Sequence, residues 1–217
     1  MDCQREDKSL SVWVLLLSLA SGYSNITAMM RFNQSVSHMT GVVSQLALAI
    51  FDREALIAVK LFAVLICFLL GAIFSGYIFH QRKLEPKKRY GTLLFFVGIL
   101  ILLLRNSEYL FYFLAFFMGL QNSMFLMYRR HLVRSTHLTG YISEIGFELG
   151  SSLAKTSKDP WKITFYSLSI FLFILGGLLS AYLKGHNIQV EFLSGLYLFL
   201  GSSYFLLVRK RLFRKKA

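Results

Sequence analysis

Ser37-His38-Met39-Thr40-Gly41 returns later in the chain as Thr136-His137-Leu138-Thr139-Gly140. The likeness spreads outward from these two pentapeptides. Upstream, Gly22-Tyr23-Ser24-Asn25 matches Gly119-Leu120-Gln121-Asn122, and Met30 falls opposite Met127. Downstream, Ser44 falls opposite Ser143, and Gly71-Ala72-Ile73-Phe74-Ser75-Gly76-Tyr77 matches Gly176-Gly177-Leu178-Leu179-Ser180-Ala181-Tyr182. The offsets grow in order from 97 through 99 to 105, as insertions in successive loops would make them. Collinear matches of this kind point to an internal duplication. Repeat one covers about 10–104 and repeat two about 109–208, with a basic tail at 209–217, all within a single membrane domain over 1–217.

The composition says where such a duplicated unit resides. Of 217 residues, 55% are hydrophobic and only 16% charged, and the aromatic share holds 21 Phe and 11 Tyr. Soluble domains carry about 25% charge. The mean hydropathy of +0.55 belongs to a membrane chain and excludes a disordered one. Lys and Arg exceed Asp and Glu by 13, yet they gather in short blocks between apolar runs. That pattern follows the positive-inside rule beside anionic lipid and speaks against nucleic acid as a partner. Cys3 lies in a polar tail and Cys67 in an apolar run, so no structural disulfide is expected. Ser18-Leu19-Ala20 resembles a signal-peptide cleavage site, but Asp2, Glu6 and Asp7 make the preceding stretch acidic. We therefore read the first apolar run as a retained span.

Apolar segments fall at about 10–30, 36–51, 57–80, 91–104, 109–128, 138–153, 163–183 and 190–208. If all of them crossed, the basic blocks at 81–89 and 209–216 would lie on opposite sides of the bilayer. If the short, polar-rich segments 36–51 and 138–153 only dip in and return, both blocks are cytoplasmic, together with 129–134 and 155–162. Charge favours the second arrangement. The expected fold is an all-α integral membrane protein with six transmembrane helices, two short re-entrant or broken helices and both termini cytoplasmic. Three spans separate any point from its mate, so the repeats are inverted, a plan that recurs in secondary transporters and some pores.

Gly-x-x-Asn closing the first helix, then Thr-Gly, echoed by Gly-x-Gln-Asn and a second Thr-Gly, resembles the YoaK-like bacterial membrane proteins, a family known as domain of unknown function 1275. The resemblance covers nearly the full length. It implies a multi-pass protein of the bacterial inner membrane without an established activity. This chain carries Asn25 and Val42 where that family usually has Asp and Asn.

Candidate functional residues follow from the re-entrant reading. Thr40-Gly41 and Thr139-Gly140 would open two half-helices, each Thr as an N-cap, with positive ends meeting near the midplane from opposite sides. His38 and His137 are then potential donors to a small solute, anionic solutes included; the structural alternative is that each Thr only caps and each His satisfies a carbonyl. Asn25, Gln121 and Asn122 would contact the solute or brace broken backbone. Glu144 and Glu148 share one face of the second short helix opposite Gln45 and Ala49. Glu148 is expected to pair with Lys155 at the surface, which leaves Glu144 for proton coupling. Gly71/Ser75, Ala72/Gly76, Gly176/Ser180 and Gly177/Ala181 suit close helix packing. Tyr77 and Tyr182 read as interfacial anchors, and Lys60 as a lysine snorkelling outward.

Motifs of nucleotide binding, zinc proteolysis, serine hydrolysis and dithiol chemistry are missing from the sequence, and His131 and His137 are badly spaced for a metal. No cofactor, metal or catalytic residue is expected. The sequence favours a small-solute transporter or channel with its site between the two Thr-Gly ends, working by rocking of one repeat against the other or by permeation past them. A membrane-embedded enzyme and a non-transporting scaffold stay open as alternatives, as does a homo-oligomer.

Overall fold

Low proline content and long apolar runs favour helices, and each helix stops for a local reason. The computed structural model describes residues 8–79, 89–124, 126–128, 131–154 and 159–214. Cys3, the basic run at 81–88, Arg129, Arg130 and Lys155 lie outside the described residues. Among those described are eight helices and one short hairpin. In order they are α1 (Lys8–Phe32), α2 (Met39–Phe51), α3 (Ala55–Ile78), α4 (Arg89–Leu103), α5 (Tyr109–Ser123), β1 (Leu126–Tyr128), β2 (His131–Val133), α6 (Leu138–Leu153), α7 (Pro160–Lys184) and α8 (Gln189–Arg214).

Helix α2 ends in a Schellman motif. Arg53 takes a φ of 58°, its N–H returns to Ile50 O and the N–H of Glu54 to Ala49 O, so the chain reverses at once into α3. Helix α7 opens with Asp159, whose Oδ1 accepts from Trp161 N at 3.1 Å, followed by Pro160 in the first turn. The apolar segment expected at 109–128 is not one helix. Its helical part closes at Ser123, with Met124 N bonded back to Leu120 O. Residues 126–128 then pair antiparallel with 131–133. Asn122 and Ser123 are weak helix formers, and the β-prone Tyr128 and Val133 follow them.

Small polar side chains share the core with apolar ones, while many large apolar side chains face outward. Ser18, Ser21, Ser24, Thr27, Gln121, Ser169, Ser180 and Ser194 are buried. Leu56, Phe62, Leu69 and Ile73 on α3 and Phe171, Ile174 and Leu178 on α7 are exposed. Three helices, Ser11–Phe32, Ala55–Ile78 and Pro160–Lys184, are long and apolar enough to cross a membrane. Helices α4 and α5, with 15 residues each, reach only about 22 Å. The chain is a helical, membrane-type protein with many large apolar side chains on its outward surface.

The packing follows the glycines. Helix α1 lies along α7, α3 along α5 and α4 along α8, while α2 rests on α3 and α6 on α7. A Cβ at Gly22 would stand 2.0 Å from Phe173 O, and one at Gly119 would stand 1.9 Å from Phe68 O. One at Gly71 would meet Phe116 O at 1.8 Å, and one at Gly176 would meet Leu19 O at 2.0 Å. Backbones this close tolerate only hydrogen at the contact. Gly71/Ser75 and Gly176/Ser180 are buried as expected of packing pairs. Gly76 is not used in this way, having nothing within 4 Å of an added Cβ.

Side-chain contacts fix the helix directions. Helices α1 and α7 are parallel, with Thr27 Oγ1 3.0 Å from Ser180 Oγ and Lys184 Nζ donating to Met30 O. Helices α1 and α5 are antiparallel, since Phe32 packs on Phe111 while Gln121 Nε2 reaches Leu17 O. Helices α4 and α8 are antiparallel as well, with Gly91 on Gly201 and Gly98 on Ser194. Lys60 does not simply snorkel away. It donates to Phe32 O at 3.4 Å and lies 5.1 Å from the Phe111 ring, so α3 begins at the end of the bundle where α1 stops.

Candidate functional site

Asn25 is a brace. Its Oδ1 accepts from Ser35 Oγ at 2.8 Å, from Val36 N at 3.2 Å and from Ser37 N at 3.3 Å. Asn25 precedes Phe32 by seven residues, about 10 Å along the axis. The 33–38 linker therefore doubles back beside α1 before α2 starts. In the second half, Asn122 Oδ1 accepts from Thr136 Oγ1 at 2.8 Å, and Gln121 Nε2 donates to Ser135 Oγ at 2.8 Å. Because Gln121 also sits at Leu17 and Ser21, the 134–137 linker returns to that level of α1. The two linkers approach from opposite ends and stop about 6–12 Å apart in depth.

The half-helix openings differ in detail from expectation. Thr40 and Thr139 are not the N-caps. His38 and His137 occupy those positions, and neither side chain makes a capping bond. Each imidazole instead folds over the glycine three residues on. An added Cβ would lie 2.6 Å from His38 Cδ2 at Gly41 and 2.1 Å from His137 Cδ2 at Gly140. The glycine of each Thr-Gly pair thus makes room for its own histidine. Thr40 O and Thr139 O accept from Ser44 Oγ and Ser143 Oγ, both at 3.0 Å. The His and Thr residues are exposed, so the outer faces of both helix openings are polar. Among the described residues, no packed seam joins α2 to α6.

The acids also rearrange. Glu148, not Glu144, is the sequestered carboxylate, with side chains 7% and 52% exposed. Glu148 takes Lys162 Nζ at 2.7 Å and Asp159 N at 3.2 Å, a lysine the sequence did not suggest because it lies across the α6–α7 turn. Glu144 stands 3.7 Å from the same ammonium. Tyr141, stacked on Tyr166 at 4.4 Å, further ties α6 to α7. The corresponding positions of the first half, Ala49 and Ile57, carry no charge.

Between the linkers lies a neutral buried network. Tyr197 OH donates to Gln121 Oε1 at 3.2 Å and lies 3.0 Å from Ser24 Oγ. Ser21 Oγ accepts from Gln121 Nε2 at 2.9 Å. Gln121 is hydrogen-bonded through both its amide nitrogen and its oxygen within the protein, which makes it a brace like Asn25. Tyr197, Ser21, Ser24 and Ser135 escaped the sequence reading. The pair Ser21 and Ser24, three apart in an apolar helix, was the only available sign.

A family model described as protein of unknown function (DUF1275) matches residues 13–205. The chain belongs to the DUF1275 family. The match takes in every residue of the network and of both helix openings, so the site described here is built from the family's own domain. No curated protein and no solved structure matches the chain.

Proposed function

We propose that the protein is a transporter or channel for a small polar solute in the bacterial inner membrane, built from two inverted repeats. It makes six passes, keeps both termini cytoplasmic, and uses α2 and α6 as re-entrant elements. The observation that carries this reading is the opposed direction of α1 and α5. If α2, α3 and α4 all crossed between them, α1 and α5 would be parallel. With α2 turning back, they are antiparallel, and Lys60 falls beside Phe32. Reciprocal glycine contacts support the duplication. Gly22 on Phe173 and Gly119 on Phe68 are the same contact carried over by offsets of 97 and 105.

The interlocking changes which parts can move. Helix α1 of one repeat is bound to α7 of the other, and α5 to α3. The natural rigid bodies are then α1 with α6 and α7, and α2 with α3 and α5, rather than the two sequence halves. Rocking along the α1–α5 seam would open the neutral network toward one side and then the other, between two half-helix ends that favour polar or anionic groups. Glu144, half exposed and 3.7 Å from Lys162 Nζ, is the proposed proton-coupling carboxylate.

Topology and transport can be tested separately. In a chain lacking Cys3 and Cys67, single cysteines at Asp52, Ser107 and Asn187 should all react from the outside. Labelling of Asp52→Cys only from the inside would remove the re-entrant reading. Proteoliposomes should swell in a panel of small anions and neutral polyols, and Glu144→Gln should abolish the pH dependence of flux. Absence of flux for every solute tested would refute transport.

A further inference from the structure

The neutral network links the two linkers to each other. Ser135 in the second linker bonds Gln121, Gln121 bonds Tyr197, and Tyr197 meets Ser24. The neighbour of Ser24 is Asn25, the brace of the first linker. The neighbour of Ser135 is Thr136, held by Asn122. Gln121 also meets α1 lower down, at Ser21 and Leu17, but its link to Ser24, beside Asn25, passes through the Tyr197 hydroxyl alone. Tyr197 is fully buried and its ring is fixed edge-on against Phe117 at 4.8 Å, so the oxygen has little room to shift.

That hydroxyl has one proton and two claimants. Ser24 Oγ is 2.8 Å from Ala20 O and 3.0 Å from Tyr197 OH. When Ser24 gives its proton to Ala20 O, it can accept from Tyr197, and Gln121 Oε1 loses its donor. When Tyr197 donates to Gln121, Ser24 can turn its proton toward the tyrosine. The two patterns exclude one another, which is the two-state element that coupling between distant sites requires.

We propose that Tyr197 is a positioning residue that couples the two re-entrant linkers, its hydroxyl passing a displacement of one to the other. The use of this coupling rests on the transport reading above, but the coupling is measurable without flux. The probe is a thiol at Ser37, whose backbone N–H bonds Asn25 whatever its side chain. Ser135→Ala cuts the far linker from Gln121. In purified full-length protein lacking Cys3 and Cys67, Ser135→Ala should change the maleimide reaction rate of Ser37→Cys about fivefold, the equilibrium weight of one neutral hydrogen bond. In the Tyr197→Phe background the change should fall below about twofold, as a double-mutant cycle reads it.

An equal rate ratio in both backgrounds, or no response in the parent, overturns the proposal. Should Tyr197→Phe fail to fold, Ser24→Ala cuts the same chain on its other side and is held to the same outcomes. Flux in vesicles of the same proteins separates the two ideas. Coupling without flux removes only the transport reading, and flux with equal ratios removes only the coupling.

Discussion

Substituting alanine for Gly22 tests the interlocked arrangement at one of its tight backbone contacts. The new Cβ would be placed 2.0 Å from Phe173 O and 2.7 Å from its carbonyl carbon. Carbon reaches comfortable contact near 3.5 Å, so α1 and α7 have to part by roughly 1.5 Å. The obstacle is backbone, which no rotamer change relieves. Separation along this seam would also stretch the Thr27–Ser180 and Lys184–Met30 contacts. Overpacking of this kind costs about 1–3 kcal/mol, and alanine's better helix propensity returns only about 1 kcal/mol. Gly119→Ala repeats the experiment between α5 and α3, with 1.9 Å to Phe68 O. Gly76→Ala is the control, since nothing lies within 4 Å. Thermal unfolding of detergent-solubilised protein, followed by size-exclusion chromatography, should show Gly22→Ala and Gly119→Ala melting several degrees low and Gly76→Ala unchanged or higher. If Gly22→Ala melts with Gly76→Ala, the close backbone approach is wrong and the reciprocal packing goes with it.

Other perturbations separate the roles assigned above. Gly140→Ala should lower the melting temperature less than Gly22→Ala, because its obstacle is a side chain, the His137 ring, and not backbone, and His137→Ala in the same chain should restore it. Gln121→Leu strips Ser21, Ser135 and Tyr197 of a shared partner, and denaturation should show a loss of about 1–3 kcal/mol. Lys162→Met takes from Glu148 the ammonium that binds it at 2.7 Å and should reduce thermal stability clearly more than Arg105→Met, whose pair with Glu191 is 3.6 Å long and about half exposed.

The residues differ in how much they disclose alone. Local rules located most helices, since apolar runs bounded by Asn33, Asp52-Arg53 and Asp159-Pro160 carry their own stop and start signals. The hairpin at 126–133 was hidden because its three-residue strands sit inside a run apolar enough for a helix. Thr40 and Thr139 look like caps in the sequence, which cannot tell that each histidine holds the cap position and lies on its glycine. Glu148 is expected from the sequence to pair with Lys155, because spacing gives a helix face but not the neighbour that covers it. Lys162 is that neighbour, and it comes from the next helix.

Composition and charge placement by themselves determined a helical, membrane-type chain, because hydropathy and loop charge act locally along the sequence. Only the tertiary structure decided that α1 packs on α7 and α3 on α5, that Asn25 and Gln121 brace the linkers, and that Tyr197 stands between them. Those contacts join residues from 11 to 173 positions apart, most of them on different elements. They depend on which helix faces meet, and no periodicity within a single segment encodes that.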